Sequence, residues 1–89
     1  MSNVFIAFQV NEESRSVVEA ILADNPDAVA VSTPGMVKID APHSLTIHRR
    51  TIESITGTRF DLQSLHVNLI TLSGHIDEDD DQLTLSWQH

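Results

Sequence analysis

The stretch LHVNLITLSGHIDEDDDQ, residues 65–82, gathers the residue types that do chemistry: His66 and His75, Thr71 and Ser73, and five consecutive acids from Asp77 to Asp81. Imidazoles with carboxylates can hold a transition metal, a serine beside a histidine can begin a nucleophilic pair, and alternating acids open a calcium loop. Each possibility meets a spacing that opposes it. Read as a calcium loop, DEDDDQLTLSWQ has acids at its first, third and fifth positions, but Gln82 stands where the sharp turn needs glycine and Gln88 where a bidentate glutamate is required. His66, His75 and Asp77 fit no compact metal-ligand motif, and His43, His48 and His89 are scattered. Ser73 and His75, two residues apart, show proximity without an orienting acid or an oxyanion hole. The STPG tetrapeptide at 32–35 has one glycine and no following lysine, so it reads as a turn and not a phosphate loop. The residues therefore predict no catalytic, cofactor or metal site. The acid run reads as a solvated turn between two strands.

Composition narrows the remaining classes. Thirteen acids against five Lys and Arg give 89 residues a formal net charge of −8, which opposes binding to a phosphate backbone and suits an acidic surface steering toward a basic partner. No cysteine is present, which excludes disulfides and thiol chemistry. MSNVFIAFQV lacks the basic region and apolar stretch of a signal peptide, and no run reaches the roughly 20 apolar residues of a membrane helix. The expectation is a cytoplasmic single domain over 1–89, too small for a large enclosed substrate cavity.

The elements that must position the stretch can be read in order. VFIAFQV, rich in β-branched and aromatic residues, predicts a strand with Val4, Ile6, Phe8 and Val10 on one face. NEESRSVVEAILADNP predicts a helix with Asn11 as N-cap, Glu12 and Glu13 at the positive end of its dipole, and Val17, Val18, Ile21 and Leu22 as an apolar stripe ending before Pro26. Pro34-Gly35 suits a type II turn joining strands at about 28–32 and 36–41. SLTIHR then predicts a strand, RRTIESITG a short helix with Ile52 and Ile55 inward and Gly57 as C-cap, and further strand-like runs lie at about 65–76 and 82–88. In the last run Leu83, Leu85 and Trp87 alternate with Thr84, Ser86 and Gln88. The fold class is α+β, two successive strand-helix-strand-strand units (βαββ-βαββ).

Within the 65–76 run the apolar positions change face. Strict alternation puts Leu65, Val67 and Leu69 together and Ile70 and Leu72 on the other side, with His66 and Asn68. Two explanations stand. A β-bulge or strand end would turn Ile70 and Leu72 back to the core; otherwise they form an exposed apolar patch with a polar rim, the usual mark of a binding surface.

With these elements in place the chain resembles the small coupling, or effector, proteins of bacterial multicomponent diiron monooxygenases, and within them the regulatory component of phenol hydroxylases. The resemblance spans nearly the whole chain. It rests on VFIAFQVNEESRSVVEAILADNPDAVAVSTPGMVKIDAP, RRTIESITGTRFDLQSL and VNLITLSGHIDEDDDQLTLSW, and on the lack of the N-terminal tail found in the methane monooxygenase branch. It implies a protein without cofactor or catalysis of its own, which binds a diiron hydroxylase oligomer, reshapes access to its active site, and couples electrons from an NADH-dependent reductase to hydroxylation. Carried onto this sequence, it implies that Asn68, Ile70, Thr71, Leu72, Ser73 and Gly74 face the partner. Outside the resemblance, an acidic inhibitor or nucleic-acid mimic and a small-ligand domain are the competing readings, the latter needing a pocket that the apolar content barely permits.

Overall fold

The computed structural model describes residues 3–87. Strand β1 (Asn3–Gln9) leads into helix α1 (Glu12–Asp24), the hairpin β2 (Val29–Thr33) and β3 (Met36–Pro42), strand β4 (Ser44–His48) and helix α2 (Arg49–Thr56). A 3-10 turn (Leu62–Ser64) then runs into the one-turn helix α3 (Leu65–Asn68), followed by β5 (Leu69–Ser73), β6 (His75–Glu78) and β7 (Gln82–Ser86). The strands form two antiparallel sheets, β2-β3-β1-β5 and β4-β7-β6. The strand-helix-strand-strand order occurs twice, and the second unit carries one strand more than the sequence reading gave it.

Local chemistry explains most boundaries. Asn11 caps α1 through its side-chain oxygen, which accepts from the Ser14 N–H at 2.9 Å, while the Asn11 N–H donates to Ser14 Oγ at 3.0 Å. Pro26 keeps Asn25 out of helical geometry, at φ −129° and ψ 80°, and the freed Asn25 side-chain amide pairs with a strand backbone. Its Nδ2 donates to the Ile21 and Thr46 carbonyls at 2.7 Å each, and its Oδ1 accepts from the Thr46 N–H at 3.0 Å, tying the end of α1 to β4. Gly35 at φ 85° closes the β2–β3 hairpin and Gly57 at φ 75° ends α2, both as the sequence predicts.

One core joins the layers: Val4, Ile6 and Phe8 of β1, Val37 and Ile39 of β3, Val17 and Ile21 of α1, Leu45 and Ile47 of β4, Ile52 of α2, and Leu83 and Leu85 of β7. Two expected core residues lie outside it. Val10 is exposed because β1 ends at Gln9 and the chain turns into the Asn11 cap. Ile55 is exposed because the last turn of α2, Ser54 to Thr56, stands clear of the body before Gly57. Gln88 and His89, placed by the sequence reading at and beyond the final strand, lie outside the described residues.

The predicted strand over 65–76 is three elements instead of one. Asp61 accepts from the Gln63 N–H at 3.0 Å and starts a helical turn in which Leu62, Leu65 and Asn68 recur every three residues on the buried side. A helical period stands where the sequence predicts the first half of a strand. The second break is at Gly74, where the chain leaves one sheet for the other.

Candidate functional site

Among the described residues β5 is an edge strand, paired with β1 alone, and its register resolves the change of face. Ser73, Leu72 and Thr71 lie opposite Phe5, Ile6 and Ala7, but the next residue of β1, Phe8, lies opposite Leu69. Ile70 is the extra residue of a β-bulge. Because of it both Leu72 and Leu69 face inward, opposite the buried Ile6 and Phe8, and both pack against the core. Ile70 itself remains 46% exposed. Each explanation offered by the sequence thus describes one residue: the bulge returns Leu72 to the core and leaves Ile70 as surface.

The six residues implied by the resemblance divide the same way. Ile70 and Thr71 are exposed and Ser73 is half-buried, Thr71 and Ser73 sharing the outer face of the four-stranded sheet with Ala7 and Phe5. Asn68, only 8% exposed, turns inward, and its Oδ1 accepts from Asn11 Nδ2 at 2.8 Å, which joins the N-cap of α1 to the entry of β5. Gly74 holds φ 134°, and a Cβ there would come within 3.1 Å of Val4 Cγ1 and Leu85 Cγ. Three of the six therefore fix the shape of the edge and three present it. Val67, 75% exposed, stands beside this edge; strand alternation groups it with Leu65 and Leu69, but the helical turn of α3 separates it from them. The Asn11 to Asn68 bond joins residues 57 apart in sequence, and no local pattern announces it.

The outer face around this edge carries little net charge. Lys38 Nζ sits 4.5 Å from the Phe5 ring centroid and 3.6 Å from Asp40, so the central charges of the sheet are paired on the sheet itself.

Only part of the acid run is the expected turn: Asp77 and Glu78 pair with Thr84 and Leu83 as the end of β6, and Asp79 to Asp81 form the structured turn. Asp79 accepts the backbone N–H groups of Asp81 and Gln82 at 2.8 and 2.9 Å, and these bonds hold its carboxyl below the usual range. Arg49 reaches across from α2, donating to Asp81 Oδ1 at 2.8 Å, the Asp80 carbonyl at 3.1 Å and Glu53 Oε2 at 3.0 Å. Glu53 also accepts from the Phe60 N–H at 2.9 Å, the main cause of its lowered pKa. The histidines do not converge: His66 meets Glu78 at 3.1 Å, whereas His75 is on β6 opposite Ser86. Ser73 and His75 belong to different sheets, and among the described residues no group of three metal-ligating side chains comes together. A surface cleft of about 330 Å³ touches α1, α2 and the 3-10 turn, and none of residues 68–74 lines it. No helix among the described residues is long and apolar enough to cross a membrane.

Comparison with known proteins places this arrangement. A family model described as MmoB/DmpM matches residues 2–86. The chain is 47% identical to the stimulatory component DmpM of phenol 2-monooxygenase from Pseudomonas sp. (strain CF600), over 99% of this chain and 98% of that protein. Among solved structures, a chain in a phenol hydroxylase–regulatory protein complex is 42% identical with a TM-score of 0.93, covering 98% of this chain and 100% of that one. The regulatory protein B of soluble methane monooxygenase, at 17% identity and a TM-score of 0.76 over 97% of this chain and 65% of its own, shares the fold.

Proposed function

This chain belongs to the MmoB/DmpM family, and we propose that it is the regulatory subunit of a phenol-type multicomponent monooxygenase, not itself an enzyme. The observation that carries this reading is the 47% identity, over almost the full length of both chains, to a phenol 2-monooxygenase stimulatory component. The regulatory domain spans 1–89, acts in the cytoplasm, and holds no cofactor; the diiron centre belongs to the hydroxylase, which receives electrons from an NADH-dependent reductase.

The contact is made by the β5 edge, with Ile70, Thr71 and Ser73 toward the hydroxylase and Asn68, Leu72 and Gly74 holding the strand in shape. Supporting this division are the exposure of the bulged Ile70 and the inward anchoring of its neighbours. A subunit without chemistry of its own changes a rate by binding one conformation of its partner more tightly than another. Equal affinity for both would shift nothing, and a tenfold shift in their ratio requires a difference of about 1.4 kcal/mol. A rigid edge suits this role because little ordering is left to be done on contact.

The test is reconstitution. Purified chain added to hydroxylase and reductase should raise the rate of aromatic hydroxylation and the fraction of NADH consumption that ends in product, while the chain alone neither hydroxylates nor contains iron. Stoichiometric iron in the chain, or hydroxylation indifferent to its presence, would overturn the reading.

A further inference from the structure

Seven large hydrophobic side chains among the described residues stay exposed, and three of them, Val67, Ile70 and Trp87, follow the β5 edge. Val67 precedes Asn68, whose hydrogen bond to Asn11 marks one end of it. Trp87 marks the other. Ser86 lies opposite His75, so the next residue, Trp87, comes level with Gly74, and its indole N–H donates to the Asn3 carbonyl at 2.8 Å. The ring, 41% exposed, is thus tied to the start of β1 at the corner where β5 ends.

Three features suit this indole to a partner. Its single donor is already satisfied inside the chain, so covering the ring strands no polar group. The same bond restricts its rotamers, which reduces the entropy lost when a partner closes over it. The segment between the apolar ends, VNLITLSG at 67–74, contains no charged residue in a chain with thirteen acids, so the matching surface is apolar and uncharged. The bulge at Ile70 also breaks the regular edge that a second copy would need for strand-to-strand pairing, leaving side chains and not backbone to make the contact.

We propose that Trp87 is an anchor of the hydroxylase interface: Ile70 and the indole, about 13 Å apart along the strand at 3.3 Å per residue, bracket one uncharged docking strip that seats on an apolar surface of the hydroxylase. The proposal rests on the reading of this chain as a hydroxylase-binding subunit. Anchors of this kind in other interfaces are enriched in tryptophan and lose about thirtyfold or more in affinity on truncation.

The experiment combines hydroxyl-radical footprinting of the wild-type chain, free and bound to hydroxylase, with titration of Trp87→Ala and Trp87→Phe. Trp87 is the one tryptophan in the chain, so its oxidation is read from a single peptide. Oxidation should fall severalfold in the complex, Trp87→Ala should raise Kd by about thirtyfold, and Trp87→Phe, which keeps a ring, should retain most of the affinity. Thermal unfolding of the free variants separates lost contact from lost fold, and the wild-type footprint needs no variant. If the chain binds and stimulates while Trp87 stays as reactive as in the free protein, the anchor is wrong and the regulatory reading survives. If the wild type neither binds nor stimulates, both fall. Protection that grows with the chain's own concentration, without hydroxylase, assigns the strip to a second copy and overturns the proposal.

Discussion

The chain passes directly from a strand of the four-stranded sheet to one of the three-stranded sheet twice, at Pro42-His43-Ser44 and at Ser73-Gly74-His75, and each passage uses a positive φ, 69° at His43 and 134° at Gly74. The first is exposed, and its residue sits in the left-handed region that histidine tolerates at modest cost. The second lies against Val4 and Leu85, at a φ well beyond that region. The same topological move is therefore loosely specified in one place and fixed to a single residue type in the other. The tightly fixed corner is the one that ends the proposed docking edge, which gives that edge its defined shape.

The difference can be broken most directly at Gly74. Gly74→Ala forces a Cβ to 3.1 Å from Val4 Cγ1 and Leu85 Cγ at an unfavourable φ, and should cost about 2–4 kcal/mol in chemical denaturation. A loss below about 1 kcal/mol would mean that the corner relaxes freely and is no better specified than the one at His43.

Within β5 the same contrast recurs one strand face apart. Leu72→Asp should destabilise the domain by about 3 kcal/mol or more, because it places a carboxylate where an apolar side chain packs against the core. Ile70→Asp should shift stability by less than about 1 kcal/mol yet abolish most of the hydroxylase binding and stimulation. Comparable unfolding curves for the two variants would show that the bulge does not separate their roles. Binding by the wild type should also keep most of its strength as salt rises, whereas an acidic mimic held by charge would lose it steeply.

The β6–β7 turn offers a smaller, pH-dependent effect. The carboxyls of Asp79 and Glu53 are held below the ordinary range by backbone N–H donors, so what they contribute is complete above about pH 5 and is lost as pH falls through their lowered values. Asp79→Asn should accordingly melt at a lower temperature than wild type at neutral pH, with the gap narrowing as pH drops below about 5. A gap constant with pH would locate the effect in the turn's shape and not its charge. Smallest of all, His43→Gly should stay within about 1 kcal/mol of wild type, relief of the left-handed strain being offset by the freer unfolded chain.

Much of the fold was legible because its signals are local. The Asn11 cap, the Pro26 stop, the Pro34-Gly35 turn and the Gly57 cap each act within a few residues, and strands β1, β3, β4 and β7 alternate cleanly over the stretches that pair. Residues 65–78 were harder to read for a physical reason. Leu62 and Leu65 carry a helical spacing that runs into the alternation of β5, and the bulge then shifts that alternation by one. Two periods overlapping within a few residues leave no window long enough to show either.

For the proposed docking edge, the sequence by itself determined that Ile70 and Leu72 break the pattern, that the segment is uncharged, and that the histidines and acids have no ligand spacing. Only the tertiary structure decided that the pair divides between surface and core, that Asn68 turns inward to Asn11, and that Trp87 stands at the Gly74 corner beside the start of β1. Alternation along a chain records which residues are apolar, but which face is inside depends on the register against a neighbouring strand. That register is set here by β1, some sixty residues away in sequence.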